Sequence, residues 1–144
     1  MNPQAATSLD KAHERFPMPC ATCTAECCGP VPLTASERDD IFTGVAQMTQ
    51  ERRARLASQE RPKTTCPMVD METHQCSTWE HRPGVCRLYG YANGLQCPYH
   101  PVGQVIAAAA VRDVLADWKA NGPVAVLGVT LGWAQLAERN EASE

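Results

Sequence analysis

Aromatic residues are scarce in this chain, at 6% with two phenylalanines, and no long apolar run is present. The most apolar stretch, residues 102–115, is interrupted by Arg112 and Asp113. Since about 20 apolar residues are needed to cross a bilayer, no membrane partner is expected. The first residues are polar, include Lys11, Glu14 and Arg15, and lack the apolar segment of a secretory leader. A cytoplasmic location is the expectation. Neither sign of charge dominates, with 13 Lys+Arg against 16 Asp+Glu and a formal net charge of -3. A broad basic footprint for nucleic acid or anionic lipid is therefore absent, and no nucleic-acid partner is expected. No G-x-G-x-x-G nucleotide fingerprint occurs, and no set of nucleophile, base and orienting residue can be assembled, so no catalytic residue is assigned. The sequence identifies no protein partner.

What the chain does have is cysteine: eight in 144 residues, at Cys20, Cys23, Cys27, Cys28, Cys66, Cys76, Cys86 and Cys97. In a reducing compartment such a set points to metal binding rather than to disulfides. Thiolate sulfur is the soft ligand that suits zinc and iron-sulfur clusters. The C-x-x-C and C-x-x-x-C spacings gather donors locally, whereas the intervals between Cys66, Cys76 and Cys86 need folded loops to do so. Buried cysteine can also be a plain small hydrophobe, but these residues lie among Pro, Gly and charged residues rather than in apolar stripes. All eight are therefore candidate metal ligands. On a helix the neighbouring side chains of Cys27 and Cys28 diverge, which favours two sites or a multinuclear cluster over one mononuclear ion. Several thiolates around a metal leave surplus negative charge, and Arg82 and Arg87 are candidate partners around the cofactor to offset it. His74 and His81 lie in the same loops, but surface or hydrogen-bonded roles suit them better, and His13 and His100 lack supporting spacing. Capping or supporting roles likewise explain Asp70 and Glu80 more simply than acid-base chemistry.

The length suits one small domain. Residues 1–17 read as a flexible lead-in, followed by a cysteine-cluster metal-binding domain over 18–140. Thr34-Ala-Ser-Glu37 is a capping box, and Ile41, Phe42, Val45 and Met48 continue an apolar stripe, predicting a helix over about 34–48. Thr49 is positioned to cap a second helix through residue 60, stopped by Arg61-Pro62, with Arg52, Arg53 and Arg55 on a solvated face. From Cys66 to Pro101 the Pro, Gly and Cys content predicts loops ordered by ligands, with one short helical turn opened by the capping-box spacing of Ser77-Thr-Trp-Glu80. Val111, Val114, Leu115 and Trp118 follow helical spacing, and Asn121-Gly122-Pro123 supplies a stop. C-terminal helices are expected at about 103–120 and 123–138, the second less clearly because Gly128, Thr130 and Gly132 weaken helix propensity and its β-branched residues could suit a strand. The expected fold is mainly α: a small single domain with helices packed around a cysteine-rich, loop-dominated metal site.

Three runs then carry a resemblance: Cys20-x-x-Cys23-x-x-x-Cys27-Cys28; Cys66-Pro67-Met68-Val69-Asp70; and Cys76-Ser-Thr-Trp79-Glu80-His81-Arg82-Pro83-Gly84-Val85-Cys86-Arg87, followed by Cys97. With these motifs the chain resembles the YkgJ-type cysteine-cluster proteins over about residues 20–98, a family associated with zinc or iron chelation. The resemblance implies a bound metal. A lysine N-methylase acting on flagellin contains the same module and is linked to an iron-sulfur cluster, which places that cofactor ahead of zinc here. Met68-Val69 and Trp79 depart from the family's usual residues but keep bulk and leave the cysteines intact. Methyl transfer does not carry over to this much shorter chain.

Three functions are compatible with the residues. One is a metal-binding module with a structural, storage or electron-transfer role. Another is an enzyme or enzyme subunit whose cluster keeps an open ligand position, and the third is a redox or metal sensor.

Overall fold

The computed structural model describes residues 28–88 and 108–143. The chain enters as a short strand, β1 (Val31–Leu33), and turns directly into helix α1 (Ala35–Ala46). The predicted capping box is formed: the Thr34 hydroxyl accepts from the Glu37 N–H and the Glu37 side chain accepts from the Thr34 N–H. Ile41 and Val45, one turn apart, are buried on one face. Helix α2 (Gln50–Ser58) is capped by the Thr49 hydroxyl, which accepts from the Arg52 N–H at 3.1 Å. It ends sooner than Pro62 would dictate. Gln59 adopts extended backbone, and its side chain donates to Asp70 Oδ1 at 3.0 Å while accepting from the Met71 N–H at 2.9 Å.

The arginines of α2 are not a simple solvated face. Arg53 donates to the Met48 carbonyl at 2.9 Å, pairing an acceptor just beyond the end of α1, where helix carbonyls lack partners. Arg55 forks onto both oxygens of Asp70 at 3.2 and 3.1 Å and reaches Glu72 at 3.0 Å.

The segment expected to be loop contains a small hairpin, β2 (Val69–Asp70) against β3 (Gln75–Cys76), with Val69 opposite Cys76. His74 turns this hairpin with a φ of 58°, a left-handed conformation that histidine tolerates better than most residues. A 3-10 turn follows at Trp79–His81. Its N-cap is Thr78, and Ser77 instead donates its hydroxyl to the Met68 carbonyl at 2.6 Å. The short helix α3 (Gly84–Leu88) comes next.

Helix α4 (Ala108–Asn121) coincides with the later part of the helix expected over about 103–120, whose first residues, 103–107, lie outside the described residues. It ends at Gly122, whose φ of 50° is the left-handed stop that glycine favours. Its stripe is narrower than the sequence suggested: Val114 is buried, while Leu115 is 58% exposed. The expected helix over 123–138 is corrected. Residues Ala125–Leu127 form β4, antiparallel to β1 with Val31 opposite Leu127, and helix α5 (Trp133–Ser143) begins only after a tight turn. Gly128, at a φ of 95°, and the Thr130 hydroxyl, which accepts from the Val126 N–H at 2.8 Å, shape that turn. The glycines and β-branched residues that weaken a helix here make a strand and a turn instead.

Helices dominate the described residues, joined by two two-stranded sheets, β1-β4 and β2-β3. The core contains Val31, Leu33, Ile41, Val45, Met68, Val69, Leu127, Leu131 and Leu136, and Cys66 belongs to it. Burial of each fully enclosed leucine contributes about 2 kcal/mol. No described helix is long and apolar enough to cross a membrane.

Candidate metal centre

Four cysteines fall among the described residues: Cys28, Cys66, Cys76 and Cys86. Each is delivered by a different piece of structure. Cys28 precedes β1, and its carbonyl accepts from the Cys66 N–H at 3.2 Å, tying the first cysteine segment to the second. The chain turns at Cys66, whose carbonyl accepts from the Val69 N–H at 3.1 Å, and enters the hairpin that carries Cys76 on β3. The Cys66-Pro67 corner is pinned from the far end of the chain by the Trp133 indole N–H, which donates to the Pro67 carbonyl at 2.8 Å. Cys86 lies within α3. Cys28, Cys76 and Cys86 are partly buried and pack against the core that contains Cys66.

The electrostatics report the same convergence. Burial pushes the Cys66 thiol up to about 12, and neighbouring Cys76 acts in the same direction, opposed by a backbone hydrogen bond at Met68 and by Arg61. Cys86 is raised well above the ordinary thiol range, first by burial and then by Cys66, Cys76 and Cys28 together, against Arg82. Cys86 is therefore within electrostatic reach of the other three sulfurs, and Cys66 of Cys76. Arg82 is held by a donation from Nε to the Trp79 carbonyl at 3.0 Å and by stacking on the Trp79 ring, 3.4 Å from its centroid. Arg61 is the second cation: Nε donates to the Val69 carbonyl at 2.9 Å and an Nη to the Leu56 carbonyl at 2.9 Å.

In donor type, burial and flanking positive charge, this group suits a soft metal centre. Among the described residues no three His, Cys, Asp or Glu side chains already stand at metal-ligand spacing, so the thiols are neighbours rather than a closed ligand shell.

Of the residues singled out from the sequence, Cys20, Cys23, Cys27 and Cys97, with His13 and His100, lie outside the described residues, as does the 1–17 lead-in. Arg82 lies within electrostatic reach of Cys86, and Arg87 is half-buried on α3. His74 is exposed at the hairpin turn. The His81 Nδ1 faces Asp40 at 2.8 Å and its Nε2 faces Gln47 at 3.2 Å, which ties the 3-10 turn to α1 rather than to the thiols. Asp70 is engaged with Arg55 and Gln59, and Glu80 is exposed. Sequence reasoning missed Arg61, which read only as a helix stop before Pro62. It also missed Thr78, a buried residue whose Oγ1 lies 3.7 Å from the Cys76 sulfur; the capping-box spacing at Ser77 drew attention one residue away.

A small, mostly helical domain with cysteines collected at its core has the makings of a cysteine-based metal-chelating protein. The chain belongs to the CxxCxxCC family, described as "Putative zinc- or iron-chelating domain", whose profile matches residues 19–107. No curated protein and no solved structure matches the chain significantly.

Proposed function

We propose that this protein is a cytoplasmic metal-binding protein whose cysteine thiolates hold an iron-sulfur cluster, in a structural, storage or electron-transfer role. Cys28, Cys66, Cys76 and Cys86 share one site, within a metal-binding domain spanning 18–140, and Cys20, Cys23, Cys27 and Cys97 supply the remaining ligands. The observation that carries the reading is that four thiols from four separate segments gather at one apolar core, Cys66 within it and Cys28, Cys76 and Cys86 packed against it. Deprotonated and without a cation, such a group would be strongly self-repelling. A bound metal removes that conflict, and Arg61 and Arg82 offset the surplus negative charge. The resemblance to the flagellin methylase module supports iron-sulfur over zinc. When bound, such a cluster supplies one-electron chemistry at a potential tuned by burial and nearby charge.

Anaerobic purification with elemental analysis and a visible spectrum tests this. Brown protein containing iron and acid-labile sulfide is the expected result, whereas colourless protein with stoichiometric zinc would replace the cluster with a zinc site. Cys86→Ser is expected to lower metal content and thermal stability together, because metal binding and the ordering of the loops are coupled. Unchanged metal content would remove Cys86 from the ligand set.

A further inference from the structure

Glu37 does more than complete the capping box of α1. Its side chain is 3% exposed, and its two oxygens serve different elements: Oε1 accepts from the Thr34 N–H at 3.0 Å, while Oε2 accepts from the Gly84 N–H at 2.5 Å. Gly84 is the first residue of α3, the helix that carries Cys86. A five-residue helix cannot hold itself in place, because nucleation is costly and so few internal bonds repay it. Its position must come from tertiary anchors, and Glu37 provides one at its origin. Gly84 permits the approach: a Cβ there would meet Glu37 Oε2 at 3.3 Å and the Val114 side chain at 3.1 Å.

We infer that Glu37 is a positioning residue for the metal centre, its carboxylate fixing the start of α3 and thereby the place at which the Cys86 sulfur meets the metal. The inference rests on the metal-binding reading of Cys86. It assigns a role in ligand placement to a side chain that stands 47 residues from Gly84.

The test is the protection of individual thiols in the metal-loaded protein. Protein reconstituted anaerobically, with zinc in one series and with iron and sulfide in another, is pulsed with N-ethylmaleimide, and each cysteine is followed by peptide mass mapping. Three variants are compared. Glu37→Gln replaces one accepting oxygen with an amide donor, so one of the two backbone bonds is lost. Glu37→Asp is shorter by one methylene; it keeps the local bond to the Thr34 N–H and falls short of Gly84. Thr34→Ala removes the other half of the capping box, the bond from the Glu37 N–H, and leaves Gly84 held. In Glu37→Asp and Glu37→Gln, Cys86 is expected to react about tenfold faster than in the unsubstituted protein, the scale on which outer-shell partners act. Protection at Cys28 and Cys66 should be retained, and Thr34→Ala should leave Cys86 as protected as before. The Asp variant keeps the charge and the local cap, so it reads the Gly84 bond even where the Gln variant does not fold. Equal protection of Cys86 in the Asp and unsubstituted proteins, or equal loss in Thr34→Ala, would overturn the inference. Absence of metal-dependent protection at every thiol of the unsubstituted protein would instead remove the metal-binding reading, and the inference with it.

Discussion

Asp70 is the most heavily engaged acidic side chain in the hairpin, and its neighbours decide how it titrates. Burial alone would raise its carboxyl, but hydrogen bonds from Arg55, Gln59 and the Glu72 N–H outweigh burial and hold it at about 2, below the ordinary 3.8. Because the folded value is the depressed one, the bonds stabilise the fold fully above about pH 4 and the contribution is lost as pH falls through about 2. Arg55 is 39% exposed, so solvent screens the pair and the contribution is about 1–2 kcal/mol. Asp70→Asn should therefore lower stability by that amount at neutral pH and by much less near pH 2, as measured by urea unfolding across the range; a loss independent of pH would show that packing, not charge, is at stake. The presence of an acid at this position was readable from the sequence. Its partners were not, because Arg55 and Gln59 reach it across a fold in the chain.

At the scale of elements, the packing of the 3-10 turn on α1 depends on Gly44. A Cβ at this buried helical position would lie 2.7 Å from the His81 ring. Alanine favours a helix over glycine by about 0.5–1 kcal/mol, whereas forcing the histidine and its turn aside costs about 1–3 kcal/mol. Gly44→Ala is therefore expected to destabilise the protein by about 1 kcal/mol, yet to become neutral or stabilising when His81 is replaced by alanine. Additive effects in thermal melts of the double-mutant cycle would contradict this contact. A second element-scale prediction concerns the β4 turn: Gly128→Ala should cost about 1–2 kcal/mol, because the φ of 95° penalises any Cβ, and an unchanged melting temperature would argue that the turn relaxes freely. The two capped helices were legible in the sequence because capping links residues only three apart. β1, with proline at its centre, was not, and β4 was legible only as the strand alternative its β-branched residues offered, since the two exist by pairing with each other.

For the whole molecule, the consequence of placing thiols against the core is that metal occupancy and folding should be one equilibrium. Stripping the metal with a strong chelator under anaerobic, reducing conditions is expected to lower the melting temperature by at least about 10 °C, since binding energy at a structural site is folding energy. An unchanged melting curve after complete metal removal would separate the two. The sequence by itself determined the chemistry and the locally closed elements: soft sulfur donors follow from residue type alone, and the caps at Thr34 and Thr49 from residues a single turn away. Which cysteines meet was decided only by the tertiary structure. Cys28 is brought to Cys66 by a backbone hydrogen bond, Cys76 by strand pairing, and Cys86 by a short helix anchored at Glu37. The first two of those links run through backbone groups that every residue possesses, and the third joins the Glu37 carboxylate to a backbone N–H 47 residues away, so no local side-chain pattern marks them.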